Sequence, residues 1–295
     1  MINKIENPGN PVNPVEKSNV TMILLSNNCW KCDDNKPWWA ERGLSCSASA
    51  RAPGLVRAYR EVSADIMLLQ EVSRAMEALF LDALRPDGYE LVTGGDTPIL
   101  YRADRMKLLE SGFLRFPEEV PGQEGSFNNH ETKSCTWGVF ETRDAARRRF
   151  AAMGLHLWWM TEERQRGSDA ARAWQFRQAA ARMEEAMARH RCFGFIAGDF
   201  NARMGSPCLK AAVEEGWTDV HDIASEADET KGTHPCSADG FAPLDTSVGF
   251  ERAIDHMLVK GFGAASGRAK SFRRLTEDWF NPLSDHYPLW CEIEL

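Results

Sequence analysis

The run "FGFIAGDFN", residues 193–201, is apolar at both parities until it reaches Asp199 and Asn201. Both faces of such a strand are buried, which is the pattern of a central strand. A carboxylate at its exit, close to the core, is costly unless it is paired, capped or held against a cation. Alone, Asp199 reads as a cap for the turn that follows. Other apolar runs end the same way. "TMILLSNN" stops at Asn28, "DIMLLQE" at Glu71 and "FAAMGLH" at His156. "AIDHMLV" carries Asp255, and "LSDHYP" puts Asp285 and His286 just before the last apolar run. Singly, His156 reads as a satisfied core histidine, Asn28 as a turn residue and Asp285 as a cap. Glu71 is harder to dismiss, because a carboxylate closing an apolar strand needs a partner.

Gathered on one rim, these residue types supply oxygen ligands for a hard cation, two imidazoles and amide donors. That set suits phosphoryl transfer to water. Mg²⁺ takes carboxylate and amide oxygens, keeps some waters and uses few protein ligands. It neutralises charge growing on phosphate oxygens. An Asp–His pair fixes the imidazole tautomer and lets it move protons or hold an anion. Asn201 could orient a water or donate to phosphate. No Ser or Cys reads as a covalent nucleophile, and there is no Gly-rich phosphate loop.

The elements that must position these groups follow from periodicity. "TMILLSNN" reads as a strand, followed by a loop to about Ser47. "SARAPGLVRAYREV" reads as a helix with Pro53 in its first turn. "DIMLLQEV" is a buried strand, and residues 74–85 a helix ended by "RPDG". "YELVT" and "TPILYR" form a hairpin around Gly94-Gly95. "KSCTWGVFETR" and "RRFAAMGLHLWW" are two strands around a turn at Asp144. A helix is expected from Ser168 to His190, with Ala173, Phe176, Ala180, Met183 and Met187 on one apolar face. After "FGFIAGDFNA" come a short helix near 207–215 and a polar loop to about Ser247. "RAIDHMLVKG" and "HYPLWCEIEL" are the last strands, the latter half-buried by its alternation. Strands spread through the whole length with helices between favour an α/β fold.

Composition narrows the class. The chain has 295 residues, 43% hydrophobic and 26% charged, with a net charge of −8. That balance is a poor footprint for tight non-specific nucleic-acid binding, so nucleic acid is possible but not favoured as a partner. Bound divalent metal could still reverse the local field. "MINKIENPGNPVNPVEKSNV" lacks the apolar centre of a signal peptide. No stretch approaches the roughly 18 apolar residues of a transmembrane segment. A cytoplasmic location is the expectation, although a removed leader would leave no trace. Eight cysteines lack the density of a disulfide scaffold. Cys29 and Cys32 form a CxxC with Cys46 as one further candidate; a zinc site needs a second ligand pair, so ordinary reduced thiols are expected.

In their order, "SNN", "LLQEV", "GLHL", "GDFNA", "AIDHMLV" and "LSDHYP" resemble the endonuclease/exonuclease/phosphatase superfamily over about residues 21–295. The resemblance implies a four-layer α/β/β/α sandwich of two packed mixed sheets flanked by helices. The polar, Pro- and Asn-rich residues 1–19 read as a flexible or extended arm, and residues 20–295 as a single catalytic domain of that kind. The resemblance further implies Glu71 as the principal metal ligand, with Asn28 and Asp285 completing the metal environment. Asp199 and Asn201 would orient water and contact phosphate. His286, paired with Asp255, would contact the scissile phosphate or act as the base; the choice of base between Asp199 and His286 stays open. His156 resembles the second histidine of the deoxyribonuclease and sphingomyelinase branches. Abasic-site endonucleases typically carry a tyrosine there, and inositol phosphatases a Cys-Asp-Arg run near "AIDHMLV" that is absent here.

The leading expectation is a Mg²⁺-dependent phosphodiesterase, with Mn²⁺ a possible substitute. The alternatives are a phosphomonoesterase on a soluble sugar, inositol or nucleotide phosphate, and a non-catalytic binding protein on the same fold. A zinc or redox protein built on Cys29, Cys32 and Cys46 is more remote. Trp38, Trp39, Trp158 and Trp159 could stack on a base, sugar or lipid head group, or simply pack in the core. No protein partner is inferred.

Overall fold

The apolar runs become two sheets packed face to face. The computed structural model describes residues 21–31, 37–228, 232–234, 253–263 and 267–295. In spatial order the first sheet is β10 (Glu226–Ala227), β12 (Arg268–Arg274), β13 (Leu289–Glu294), β1 (Thr21–Asn28), β2 (Ile66–Gln70), β4 (Ile99–Arg102) and β3 (Tyr89–Val92). The second is β5 (Met106–Arg115), β6 (Ser134–Thr142), β7 (Arg149–His156), β8 (Phe193–Asp199), β11 (Asp255–Lys260) and β9 (Thr218–Asp219). Leu24, Ile66 and Leu68 of one sheet meet Phe150, Ala152 and Phe195 of the other in a shared core.

The outer faces are covered by helices, because alternate residues of the central strands are apolar as well. Leu25, Met67 and Leu69 pack under α2 (Ala48–Val62) and α3 (Arg74–Leu84) through Leu55, Tyr59 and Phe80. Leu155 and Ile196 pack under α4 (Ser168–His190) and α5 (Pro207–Glu214) through Phe176, Met183 and Leu209. The five-residue apolar face read for α4 is buried throughout. The result is the expected α/β/β/α sandwich. Among the described residues, no helix is long and apolar enough to cross a membrane.

Register decides what meets at one edge. β1 and β2 run parallel, with Asn28 opposite Gln70, so Glu71 lies one step beyond. β7 and β8 also run parallel, with His156 opposite Asp199. β11 runs antiparallel to β8 and starts with Asp255 opposite Asp199. Gly198 permits this alignment: its φ is 150°, and a Cβ there would lie 2.0 Å from the Leu155 carbonyl oxygen.

Several elements differ from the sequence expectation. A short helix, α1 (Pro37–Glu41), interrupts the loop expected before Ser47. Pro53 falls in the second turn of α2 rather than the first. It removes only one hydrogen bond, to a carbonyl close to the helix start, so the helix continues. β5 and β12 have no counterpart in the sequence reading. β9, α6 (Val220–Ile223) and β10 occupy the early part of the expected polar loop. The rest of that loop is mostly outside the described residues, as are the arm over residues 1–19 and Cys32.

Candidate active site

The strand ends open on a cleft of about 1000 Å³ whose lining includes Glu71, His156, Asp199, Asn201, Asp285 and His286. Asn28 and Asp255 stand directly behind it, 1% and 3% exposed. All eight residues expected from the sequence therefore collect at one edge of the paired sheets. They fall into three overlapping groups: Glu71, His156 and Asp199; Asp199, Asp255 and His286; and Asp285 and His286 with His234.

Asp199 is the hub. Its Oδ2 accepts from Asn28 Nδ2 at 3.1 Å, and its Oδ1 accepts from the Asn201 backbone N–H at 2.8 Å. His156 Nε2 lies 3.5 Å from Oδ2, and His286 Nε2 lies 3.9 Å from it. Burial and the neighbouring Asp255 carboxylate raise its pKa to about 6, against the opposing pull of His286 and Lys133. A carboxylate with that value can accept a proton near neutral pH.

The surroundings shift the two histidines in opposite directions. Burial disfavours charge on His286, but the Asp255 and Asp199 carboxylates outweigh it and hold the pKa well above the ordinary value. His286 Nδ1 is paired with Asp255 Oδ2 at 2.8 Å, which leaves Nε2 facing the cleft side of the pair. For His156, burial and the positive charges of Lys133 and His286 push the pKa well below ordinary. The Lys133 ammonium lies 2.6 Å from His156 Nε2. The surroundings thus favour the charged form of His286 and the neutral form of His156.

Glu71 follows β2 with φ 56°, and Asn201 follows β8 with φ 49°. Trp30, after Asn28, has φ 53°. Left-handed backbone at non-glycine residues is strained, and here it occurs at three exits around one cleft. Glu71 Oε1 accepts from Asn28 Nδ2 at 3.2 Å, and Oε2 accepts from the Lys31 backbone N–H at 2.9 Å. Asn28 Oδ1 accepts from the Trp30 N–H at 2.9 Å, so its amide faces the two carboxylates as a donor. Asp285 presents a different picture. Burial alone would raise its pKa, but contact with His234 and the charge of His286 outweigh that and lower it. Its Oδ1 is buried with no hydrogen-bond partner among the described residues. An orphaned carboxylate oxygen lining a cleft is one a bound cation could satisfy, and the side chains grouped with it are the imidazoles of His234 and His286.

Lys133 and His234 are site residues that the sequence reading missed. Lys133 immediately precedes β6 and is 4% exposed. His234 lies 3.7 Å from Asp285 Oδ2, with its ring centroid 4.7 Å from that of His286. Neither follows an apolar strand-like run, so no local pattern singles it out. Thr233 Oγ1 accepts from the Asp255 N–H at 3.1 Å, and Ser284 Oγ donates to the Asn28 carbonyl at 2.6 Å. These two hydroxyls tie the loops to the strand ends.

The candidate aromatics separate sharply. Trp39 and Trp158 are 1% exposed and belong to packed clusters, whereas Trp159 is 44% exposed and lines the cleft. The side chain of Trp38 is outside the described residues. Cys29 and Cys46 are buried. Burial raises the Cys29 thiol to about 12, which keeps it protonated and disfavours a zinc thiolate.

Residues 28–286 match the Endonuclease/Exonuclease/phosphatase family. A search of curated proteins gives no match. Among solved structures, the chain is similar to an endonuclease/exonuclease/phosphatase from Bacteroides vulgatus at 21% identity and TM-score 0.72, covering 94% of this chain and 99% of that one. It is similar to a mannosyl-6-phosphatase from Bacteroides thetaiotaomicron at 20% identity and TM-score 0.69, covering 92% and 99%. It is also similar to D. rerio TDP2 complexed with single-strand DNA product, at 17% identity and TM-score 0.67, covering 93% and 99%. Similarity at these identities establishes a shared fold.

Proposed function

The chain belongs to the endonuclease/exonuclease/phosphatase family, and from that premise we propose that it hydrolyses phosphoester bonds by metal-assisted attack of water. The observation that carries this reading is the hub: Asp199 lies 3.5 Å from one histidine and 3.9 Å from another, in a cleft it shares with Glu71 and Asp285.

Glu71 and Asp285 supply the carboxylates that would hold Mg²⁺ or Mn²⁺, with Asn28 beside Glu71 as amide support. The buried, unpartnered Asp285 Oδ1 fits that assignment. Bound there, a hard divalent cation would neutralise charge building on the phosphate oxygens. Asp199 takes the proton of the attacking water, and Asn201 helps to orient that water. The cationic His286, fixed by Asp255, donates from Nε2 to a phosphate oxygen. Neutral His156, held by Lys133, orients the phosphoryl group from the other side. Water adds to phosphorus, the bond from phosphorus to the ester oxygen breaks, and an alcohol and a phosphate result.

Diester cleavage is the broader family-based reading. A small substrate, monoester or diester, is favoured over a long polyanion by a specific observation: four Lys and Arg side chains line the cleft against seven Asp and Glu. The mannosyl-6-phosphatase is a relative consistent with it. A purely binding role is the weaker alternative, since it leaves the hub without a purpose.

The test is hydrolysis of bis-p-nitrophenyl phosphate and p-nitrophenyl phosphate with Mg²⁺, Mn²⁺ or EDTA, beside Glu71→Gln. Metal-dependent release that the variant loses supports the reading. Release that survives EDTA and the substitution would reject the site assignment.

A further inference from the structure

We infer that Trp159 and the cleft around it form a subsite for an uncharged ring, of a sugar or a base, carried by a molecule with a single phosphoryl group, so that the substrate is a small ring phosphomonoester rather than a nucleic-acid strand. The inference rests on the phosphoesterase reading and specifies its substrate class.

Trp159 is the most exposed aromatic side chain among the large exposed hydrophobics of the described residues, yet the backbone that carries it follows two anchored residues. Its neighbour Trp158 is buried, donates from Nε1 to Ser168 Oγ at 3.2 Å, and donates its backbone N–H to Gln175 Oε1 at 2.9 Å. Phe127 packs edge-on against it at 5.9 Å. Leu157, one residue earlier, is tied to the hub: its N–H donates to the Asp199 carbonyl at 2.9 Å, and its carbonyl accepts from Asn201 Nδ2 at 3.1 Å. The Trp159 ring lies 6.1 Å from that of Trp158. The backbone that presents this aromatic face is therefore anchored at the cleft, which leaves chiefly the Trp159 side-chain torsions to be fixed when a ligand stacks on it. Trp159 follows His156 by three positions, a Cα span of roughly 10 Å at most. That is the scale of a phosphoryl group joined to one sugar or nucleoside.

The charges point the same way. Of the Lys and Arg side chains lining the cleft, Lys31 is paired with Asp96 at 3.1 Å, Arg172 with Asp169, and Lys133 is engaged with His156. Arg203 is exposed, and no carboxylate pairs with it among the described residues. Glu162 and Glu163 add negative charge to the wall. A strand of phosphates is held by several cations, each releasing counterions. Arg203, which has no carboxylate pair among the described residues, serves a single phosphoryl group, and the acidic wall repels the next phosphate along a chain. Stacking on Trp159 tolerates either a sugar face or a base.

The experiment compares hydrolysis of a hexose 6-phosphate, a nucleoside 5′-monophosphate and glycerol phosphate, read as phosphate release, with that of a single-stranded oligonucleotide, read as strand cleavage on a denaturing gel, using the full chain, Trp159→Ala and Trp159→Phe. At least one ring monophosphate should exceed the oligonucleotide in kcat/KM by about tenfold or more. Trp159→Ala should lower kcat/KM for that ring substrate about tenfold relative to glycerol phosphate, chiefly through KM, with Trp159→Phe restoring most of it. The sugar and nucleoside arms identify which ring is taken. Preference for the oligonucleotide, or equal losses on ring and ringless substrates, overturns the inference. Calorimetric titration of the same ring phosphates into Glu71→Gln, with and without Trp159→Ala, is independent of turnover. If nothing is hydrolysed but Trp159→Ala still weakens binding about tenfold, the subsite stands and the phosphoesterase reading falls. If binding is unchanged as well, the subsite falls with it.

Discussion

Asp-His occurs twice in this chain, at Asp255-His256 and at Asp285-His286. The fold uses the two dipeptides in unlike ways. His286 turns from its loop to pair through Nδ1 with Asp255, while its Nε2 is 3.9 Å from Asp199 in the cleft group. His256 sits one position along β11, so alternation sends it to the opposite face of the sheet. There its Nδ1 meets Asp219 Oδ2 at 3.1 Å and its Nε2 meets the Ala202 carbonyl at 2.8 Å. Both nitrogens are committed, and the ring is 0% exposed. One Asp–His pair leaves a nitrogen beside the cleft group, and the other is a structural rivet. The difference lies in the surroundings, since the residue types are identical.

The comparison can be broken experimentally, and the largest effect is expected at the open pair. His286→Ala should lower kcat about 10²–10⁴-fold, the usual scale for losing an acid–base or charge-stabilising group. Its stability should change less than that of His256→Ala, because the space it leaves opens to the cleft and Asp255 can be solvated. Steady-state kinetics beside thermal melting checks both. A normal kcat would remove His286 from the site. His256→Ala should do the reverse. It leaves Asp219 buried and unpaired, which costs about 3–5 kcal/mol, and urea denaturation reads that directly. The fraction that remains folded should turn over near the normal rate. If it lost as much activity as His286→Ala, the contrast between rivet and reagent would collapse.

Glu71→Gln sharpens the picture on the metal side. It should weaken Mg²⁺ affinity by about tenfold or more and reduce activity with it, whereas His286→Ala should leave the affinity nearly intact. Calorimetric metal titration of the two variants separates ligand from phosphate contact. The smallest effect concerns pH. For His256 burial works against charge, but Asp219 and the Ala202 carbonyl outweigh it and raise the pKa. A group whose folded pKa is raised contributes stability that is fully present below its unfolded value of about 6.5 and is lost as pH rises through the folded value. Wild type should therefore lose stability as pH climbs above that range, and His256→Ala should lose that part of the slope. Urea midpoints across roughly pH 6 to 9, a window that starts near the reference value, test it.

Much of the fold was legible because it rests on local periodicity. β8 is apolar on both faces and buried on both, and α4 keeps its apolar stripe against the sheet. β12 was not legible: "RAKSFRR" is too cationic to read as a strand. It forms one because its cations face the carboxylates of β13, with Arg268 on Glu294 and Lys270 on Glu292 at 2.6 Å each. β5 is a sheet edge with most of its residues at least partly exposed, so its apolar signal is weak. α1 is five residues long and carries no full amphipathic pattern.

The sequence by itself determined which residues end the buried strands, and so which polar groups had to find partners near a core. Asn28, Glu71, His156 and Asp199 were marked in this way, since an apolar run ending in a polar group is a local and costly pattern. Only the tertiary structure decided which of those partners met. Strand register set His156 and Asp255 on either side of Asp199, loop closure brought Lys133 and His234 to the same cleft, and side-chain packing left Trp159 at its surface while burying Trp158. Periodicity is a property of neighbours along the chain. Charge state, pairing and exposure are set by neighbours in space, and those come from segments far apart in sequence.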